Sequence, residues 1–317
     1  MKIIKYLFTF MMVFACLGLC ACGSKTTTTE TTTTENTTTE TTTTENTTTE
    51  NNVFPTSVDV SKVNFVNPGK LTVVVSTDFA PMEFVDLTKT GQDKYVGADI
   101  EFAKVLAQAF GVELYIKSMD FDSLLTALDN NVADIAISGF SYTEDRAASY
   151  LFTNCYYQEG DGGQVVVVNK ANLDQYQTLD SINVSGKKIA AQNGSLQVGL
   201  VENQLANATL VLIDDLNAAY DMLSSGSIDG VAVATSVATT LVEKFPEKYA
   251  ICPQAFDYVE DGNFALVKKN NTALKDAVDA VIAQFEKDTF QKWVDEAKIL
   301  FTQLGDNAGE DIYPEEE

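Results

Sequence analysis

The 317-residue chain contains no histidine, and its only arginine is Arg146. Without imidazole the chain lacks the commonest general base and the commonest metal ligand near neutral pH. No catalytic residue, metal or cofactor is therefore expected. Basic residues are scarce: 21 lysines and arginines stand against 45 aspartates and glutamates, a formal charge of -24. Nucleic acid and anionic membrane surfaces would repel such a chain, so no nucleic-acid partner is expected and self-repulsion favours a monomer. Neither GxxxxGK[ST] nor GxGxxG occurs, which leaves nucleotide binding without a motif. Apolar residues are in ordinary supply, at 45%, enough for one or two cores.

Most of the cysteine sits at the N-terminus. "MKIIK" is a basic opening, and the following "YLFTFMMVFACLGLCA", roughly 16 apolar residues, has the length of a signal core and is short for a membrane span. It closes on Leu19-Cys20-Ala21-Cys22-Gly23-Ser24, which resembles a bacterial lipobox. That resemblance implies a signal peptide over 1–21, cleavage before Cys22 and lipid on its thiol. Cys20 fits less well because Leu19 would fill a small-residue slot. The alternative is an uncleaved anchor. The export context makes pairing of the remaining Cys155 and Cys252 a possibility. Their spacing does not decide it, and isolated buried thiols are the expected state.

Residues 26–52 are threonine, glutamate and asparagine only, with "TTTTENTTTE" occurring twice. Such a segment has nothing apolar to bury and cannot offset the entropy of ordering. The whole of 22–66 is expected to be a disordered tether, whose ~40 residues could reach on the order of 100 Å. Order is expected from Asn67-Pro68-Gly69. "LTVVV" (71–75), "VELYI" (112–116) and "ADIAIS" (133–138) read as strands. "DIEFAKVLAQAFG" (99–111) places Ile100, Ala103, Leu106, Ala107 and Phe110 on one helical face. "FDSLLTALDN" is a second helix. The alternation then repeats with strands "KKIAAQ", "TLVLI" and "GVAVA" separated by helices "SLQVGLVENQLA" and "LNAAYDMLSS". The expected fold class is α/β, with two similar lobes, each a central sheet flanked by helices. "LKDAVDAVIAQFEKDTFQKWVDEAKIL" reads as one long helical tail packed back on the first lobe, and 304–317 as an acidic flexible end.

Ligands of open α/β sheets bind beyond the carboxyl ends of the strands. Arg146 lies just there, after "ADIAIS" in "SGFSYTEDR" (138–146), with Thr143 as helix N-cap. A planar guanidinium fork suits a carboxylate, although a surface pair with Glu144 or Asp145 is the plainer alternative. From about Gly69 to Phe301 the chain resembles the solute-binding proteins of polar amino-acid ABC transporters. The resemblance is carried by "STDFAPMEF" (76–84), "GADIEFAKVLAQAFG" (97–111), "MDFDSLLTALDNNVADIAISGFSYTEDR" (119–146) and "AAQNGSLQ" (190–197). It implies a two-lobed, periplasmic-binding-protein-like (type II) fold, with lobe 1 over 67–157 and 260–303 and lobe 2 over 158–259.

The resemblance also implies site roles. Arg146 would bind the ligand carboxylate. Ser138, Gly139 and Ser141 would give backbone or hydroxyl hydrogen bonds, Phe79 and Phe121 would sandwich the ligand body, and Ser195 and Leu196 would offer helix-start amides. Two positions depart from the family pattern. Ala98 replaces a large apolar residue, and Ala234 stands where an aspartate normally takes the ligand's α-ammonium group. Either the ligand lacks that amine or another acid has taken over; Glu83, Asp120, Asp161 and Asp257 are candidates, and Thr235 could add only a neutral hydroxyl. The expected function is a lipid-anchored receptor at the cell surface, Gram-positive in type. It would capture a carboxylate-bearing solute, an amino acid or analogue, and deliver it to an ABC permease without catalysis. The alternatives are a prephenate-like dehydratase on the same fold and a sensory module.

Overall fold

The computed structural model describes residues 56–158, 162–259 and 261–310. The export signal, Cys22, the Thr/Glu/Asn repeats and Asp161 lie outside the described residues. None of the described helices is long and apolar enough to cross a membrane.

The chain opens with β1 (Lys70–Val75), β2 (Phe84–Asp86), β3 (Tyr95–Val96), α1 (Ala98–Phe110) and β4 (Glu113–Ser118). It continues through α2 (Ser123–Asp129), β5 (Ile135–Phe140), α3 (Glu144–Ser149) and β6 (Tyr150–Phe152). A second run holds β7 (Gln164–Asn169), α4 (Leu179–Ile182), β8 (Lys188–Gln192), α5 (Leu196–Gln204) and β9 (Thr209–Ile213). It ends with α6 (Leu216–Ser224), β10 (Gly230–Ala234), α7 (Thr235–Lys244) and β11 (Tyr249–Ile251). The return leg is β12 (Phe264–Lys268), α8 (Thr272–Ile282), α9 (Thr289–Leu304) and β13 (Ala308–Gly309).

The strands form two five-stranded sheets, ordered β4-β1-β5-β12-β6 and β11-β7-β10-β8-β9. In each, four strands run the same way and one is reversed, β12 in the first sheet and β7 in the second. The antiparallel members exist because the chain leaves the first sheet after β6 and returns to it at β12. The two crossing segments meet at the Tyr157–Asn263 bridge, which makes that pair the hinge. The parallel strands read as continuous apolar runs because both faces are covered; Leu71, Val73, Val74 and Val75 are all fully buried.

Three boundaries differ from expectation. Order starts earlier than Asn67: Val58, Val60, Val63 and Phe65 pack on the first core, and the Val58 amide bonds Ala109 O at 3.0 Å. The hydrophobic burial of those four side chains outweighs the polar company they keep. The expected long tail helix is two helices, with α8 ending at Ile282 and α9 starting at Thr289. The break lets Phe285, Phe290 and Trp293 meet edge to face at 5.5 Å beside α1. The end of the chain is also ordered past 304: β13 pairs with β2, and β2 with β3, in a third small sheet.

That last segment touches both lobes. Phe301 stacks edge-on against Phe84 at 5.2 Å, and Lys244 Nζ of α7 lies 3.8 Å from the Phe301 ring centroid. Asn217 of α6 donates to Glu310 Oε2 at 3.3 Å. Phe301→Ala is expected to lower stability by about 3 kcal/mol, the low end for a phenylalanine truncation because the ring is half-buried. Denaturant unfolding measures it; a change under about 0.5 kcal/mol, the usual range for surface substitutions, would show that the ring bridges nothing.

Candidate functional site

Arg146 is set by its local sequence. Thr143 caps α3, its side chain accepting the Arg146 amide at 3.2 Å. The guanidinium then reaches over the strand ends with only 8% of the residue exposed. It lies between two rings, with Cζ 5.6 Å from the Phe121 centroid and 5.0 Å from that of Phe140. Nη1 donates to Ser141 O at 2.8 Å, and Nη2 crosses to the second lobe to donate to Gly194 O at 3.0 Å. No described carboxylate forms an ion pair with it, Glu144 and Asp145 included. Burial without a counter-charge pulls its pKa down to about 10.

Around it the structure gathers Phe79, Phe121, Ser138, Gly139, Ser141, Ser195 and Leu196, lining a cavity of about 30 Å³. A second cavity of about 30 Å³ continues toward the hinge and brings in Ala234, Tyr157, Gln164 and Asn263. Each has room for about one water, so the cleft is shut down in this state. Gly139 is a glycine of necessity: its φ is +53°, and a Cβ there would stand 2.7 Å from the Phe79 ring. Gly194, at φ +74°, presses against Asp122 of the other lobe, whose Oδ2 also accepts from Asn193 Nδ2 at 2.8 Å.

Two expected donors are already engaged. The Gly139 amide bonds Asp99 Oδ2 at 2.9 Å, so it cannot donate to a ligand. The Ser195 amide closes a turn on Gln192 O at 3.0 Å, although Ser195 Oγ is buried with no partner. A tertiary neighbour takes the first donor and a tight turn the second, which motif matching does not register. Leu196 remains as the first residue of α5, where helix-start amides lack intrahelical acceptors.

The candidate acids separate. Glu83 is fully buried under Ser138, which donates its hydroxyl to Glu83 Oε1. Asp120 lines a different cavity, and Asp257 is exposed with its amide held by Gln204. Thr235 opens α7 and bonds Gly163 O at 2.9 Å. Cys155 and Cys252 are not joined by a disulfide; the Cys155 thiol donates to Tyr157 O at 3.2 Å.

Sequence reading missed Asp78, Asp99 and Gln192. Asp78 is 8% exposed and joins the lobes, its Oδ2 accepting from Gln192 Nε2 and the Leu216 amide, both at 2.8 Å. Burial drives its pKa up to about 6 against the bonds from the Leu216 amide and the Ser76 hydroxyl. Beyond it lies an acid-walled cavity of about 380 Å³ lined by Asp78, Asp120, Asp214, Asp215 and Glu310, with Ser76, Ser118 and Ser123. Oxygens of Asp78, Asp215 and Glu310 all lie within 4.8 Å of one another, the one such acidic cluster among the described residues close enough to hold a cation. Burial, then Asp215, pushes Glu310 up to about 8. The signal in the sequence was an aspartate directly after a buried strand, inside "STDFAPMEF".

This geometry has counterparts in known proteins. The L-cystine-binding protein TcyJ of Escherichia coli is 29% identical over 221 residues, covering 69% of this chain and 79% of that protein. The ABC transporter arginine-binding protein 1 of the same species is 28% identical over 230 residues, covering 72% and 90%. An amino-acid ABC transporter substrate-binding protein from Streptococcus pneumoniae, solved bound to L-arginine, superposes with a TM-score of 0.67 at 33% identity, covering 73% of this chain and 94% of that one. An enzyme stands further off: the cyclohexadienyl dehydratase of Pseudomonas aeruginosa is 24% identical over 193 residues, covering 61% and 69%. Residues 71–296 match the family described as bacterial extracellular solute-binding proteins, family 3, and with that span the chain belongs to this family.

Proposed function

We propose that the chain is the solute-capturing component of an ABC importer and closes its lobes on an α-amino acid with a cationic side chain. The carrying observation is Arg146: a buried guanidinium, touching both lobes, with no carboxylate partner among the described residues. A ligand carboxylate placed there supplies the missing charge and exchanges the weak bonds to Ser141 O and Gly194 O for a charge-assisted fork. The acid-walled cavity beyond Asp78 supports a cationic side chain, and the arginine-binding relatives agree with it. A role in binding rather than turnover is supported by the cavity wall, whose described residues include no acidic side chain to act as general acid. Lipid on Cys22, with the Thr/Glu/Asn repeats as a stalk, would hold a monomeric receptor at a Gram-positive surface beside its permease; the support is the lipobox-like run Leu19-Cys20-Ala21-Cys22.

Calorimetry with a panel of L-amino acids tests the reading. L-arginine and L-lysine are expected to bind more tightly than L-glutamate by at least about 100-fold, the scale of a buried charge mismatch. Asp78→Asn should reduce that preference. Binding of none of the panel, or preference for acidic amino acids, would overturn it.

A further inference from the structure

The ligand cavity has a cation in its wall and no anion. From Phe79 and Arg146 through to Ala234 and Asn263, its described lining contains no acidic side chain. Under the floor, one layer below, lies a pair of acids. Glu83 and Asp99 are both 0% exposed. Ser138, on the cavity floor, donates its hydroxyl to Glu83 Oε1, while the Gly139 amide and the Tyr156 hydroxyl donate to Asp99 Oδ2 at 2.9 and 3.0 Å. The other two oxygens, Glu83 Oε2 and Asp99 Oδ1, have no hydrogen-bond partner, and consecutive residues, Ser138 and Gly139, hold the two carboxyl groups. Burial, then the charge of Asp99, pushes Glu83 well above the ordinary range, so the two do not both ionise and the pair keeps one negative charge. No described lysine or arginine forms an ion pair with either residue. A lone buried charge of this kind is destabilising unless something completes it.

The direction of the hydrogen bonds says what completes it. With its proton committed to Glu83, Ser138 Oγ can only accept; one acceptor site takes the Ser76 amide at 3.3 Å. Gly139 has no donor left. The floor is therefore an acceptor surface with a negative charge behind it. Arg146 and the start of α5 form a donor surface at the other end. A ligand that matches both ends carries a carboxylate at one and an N–H-bearing cation at the other.

We propose that the buried Glu83–Asp99 pair is the counter-charge for the α-ammonium group of the ligand, acting through Ser138 Oγ, and so selects zwitterionic amino acids over their deaminated analogues. The proposal rests on the reading of the cleft as an amino-acid site and adds the groups that recognise the amine. Glu83 and Asp99 are positioning residues here, since neither reaches the cavity.

The test compares L-arginine with δ-guanidinovalerate, the same molecule without its α-amino group, by calorimetry on the full chain. Wild-type protein is expected to favour L-arginine by about 100-fold. Glu83→Gln combined with Asp99→Asn removes the shared charge that either single change would leave in place, and should lose most of that ratio while affinity for δ-guanidinovalerate stays within about threefold; a merely structural role would weaken both ligands alike. Adding Ala234→Asp, which places an anion directly in the cavity wall, should restore the ratio in that double-variant background. If the double variant does not fold, Ser138→Ala reads the same selective loss by removing the relay and leaving the pair intact. An unchanged ratio in the double variant, or in Ser138→Ala where that variant must stand in, overturns the inference and leaves the amino-acid site standing. A wild-type protein that binds no α-amino acid overturns both.

Discussion

Arg146→Ala is expected to abolish capture, lowering affinity for L-arginine by about 1000-fold, with no matching loss of stability. Truncating one partner of a desolvated, hydrogen-bonded charge pair typically has an effect of this size, because the ligand carboxylate is left buried and unpaired. Stability behaves differently because the guanidinium has no charge partner in the unliganded protein. Its bonds go to two neutral carbonyls, and burial already depresses its pKa to about 10. Removing it deletes two hydrogen bonds and the ring contacts with Phe121 and Phe140 but also relieves an uncompensated buried cation. These oppose one another, so the melting temperature of the free protein should move by only a few degrees. Arg146→Lys separates charge from shape. It retains a cation but not the planar fork, and should fall between wild type and Arg146→Ala. Unchanged affinity in Arg146→Ala would remove the site from this cleft. A large fall in melting temperature with ligand affinity retained would make Arg146 a structural residue.

What could be read from residues alone was governed by how local the determining physics is. Strands such as "LTVVV" and "GVAVA" announce themselves because burial on both faces leaves them no charged position and almost no polar one. Arg146 was legible for a related reason: a lone fork-shaped cation directly after a strand is a local pattern. The Glu83–Asp99 pair was not legible, since its meaning comes from contact between residues separated by a turn, a strand and a glycine, and from which donors they consume. Gly139 shows the same limit. Its position in the motif was correctly placed in the cleft, but the tertiary neighbour Asp99 takes its amide. Asp78 is buried by the opposite lobe, through Gln192 and the Leu216 amide, and no window of sequence contains that event. The start of order was misplaced for a different reason. The repeats before it set the expectation, although Val58, Val60, Val63 and Phe65 carry the apolar spacing of a segment that packs.

Those buried acids make stability fall as pH rises, a second large effect. The Asp78 carboxyl is pushed up to about 6 by burial, and Glu83 well above the ordinary range by burial and by Asp99. Glu310 is raised to about 8, though its half-exposed position lets solvent screen much of that influence. In the unfolded chain all of them titrate at ordinary carboxylate values. Between about pH 4 and pH 8 the folded state therefore holds protons that the unfolded state has released. Each such proton is worth about 1.4 kcal/mol per pH unit, fully present below pH 4 and lost as pH rises through the folded values. Asp86 and Asp229 work in the opposite sense. Bonds to Thr88 hold Asp86 below the ordinary range, and bonds to Lys187 and the Lys188 amide outweigh burial to do the same for Asp229. Their stabilisation is present above pH 4 and disappears only on acidification below it. The two windows hardly overlap, so the melting temperature should climb from pH 8 to a maximum near pH 5 and drop again below pH 4. The net charge of -24 pushes in the same direction on the alkaline side, but added salt screens that contribution and not the buried groups. A slope between pH 5 and 8 that survives high salt and flattens in Asp78→Asn would locate the effect in the cleft. A slope that salt erases would assign it to overall repulsion, and a melting temperature that rises toward pH 8 would show that these carboxyls are not buried as acids at all.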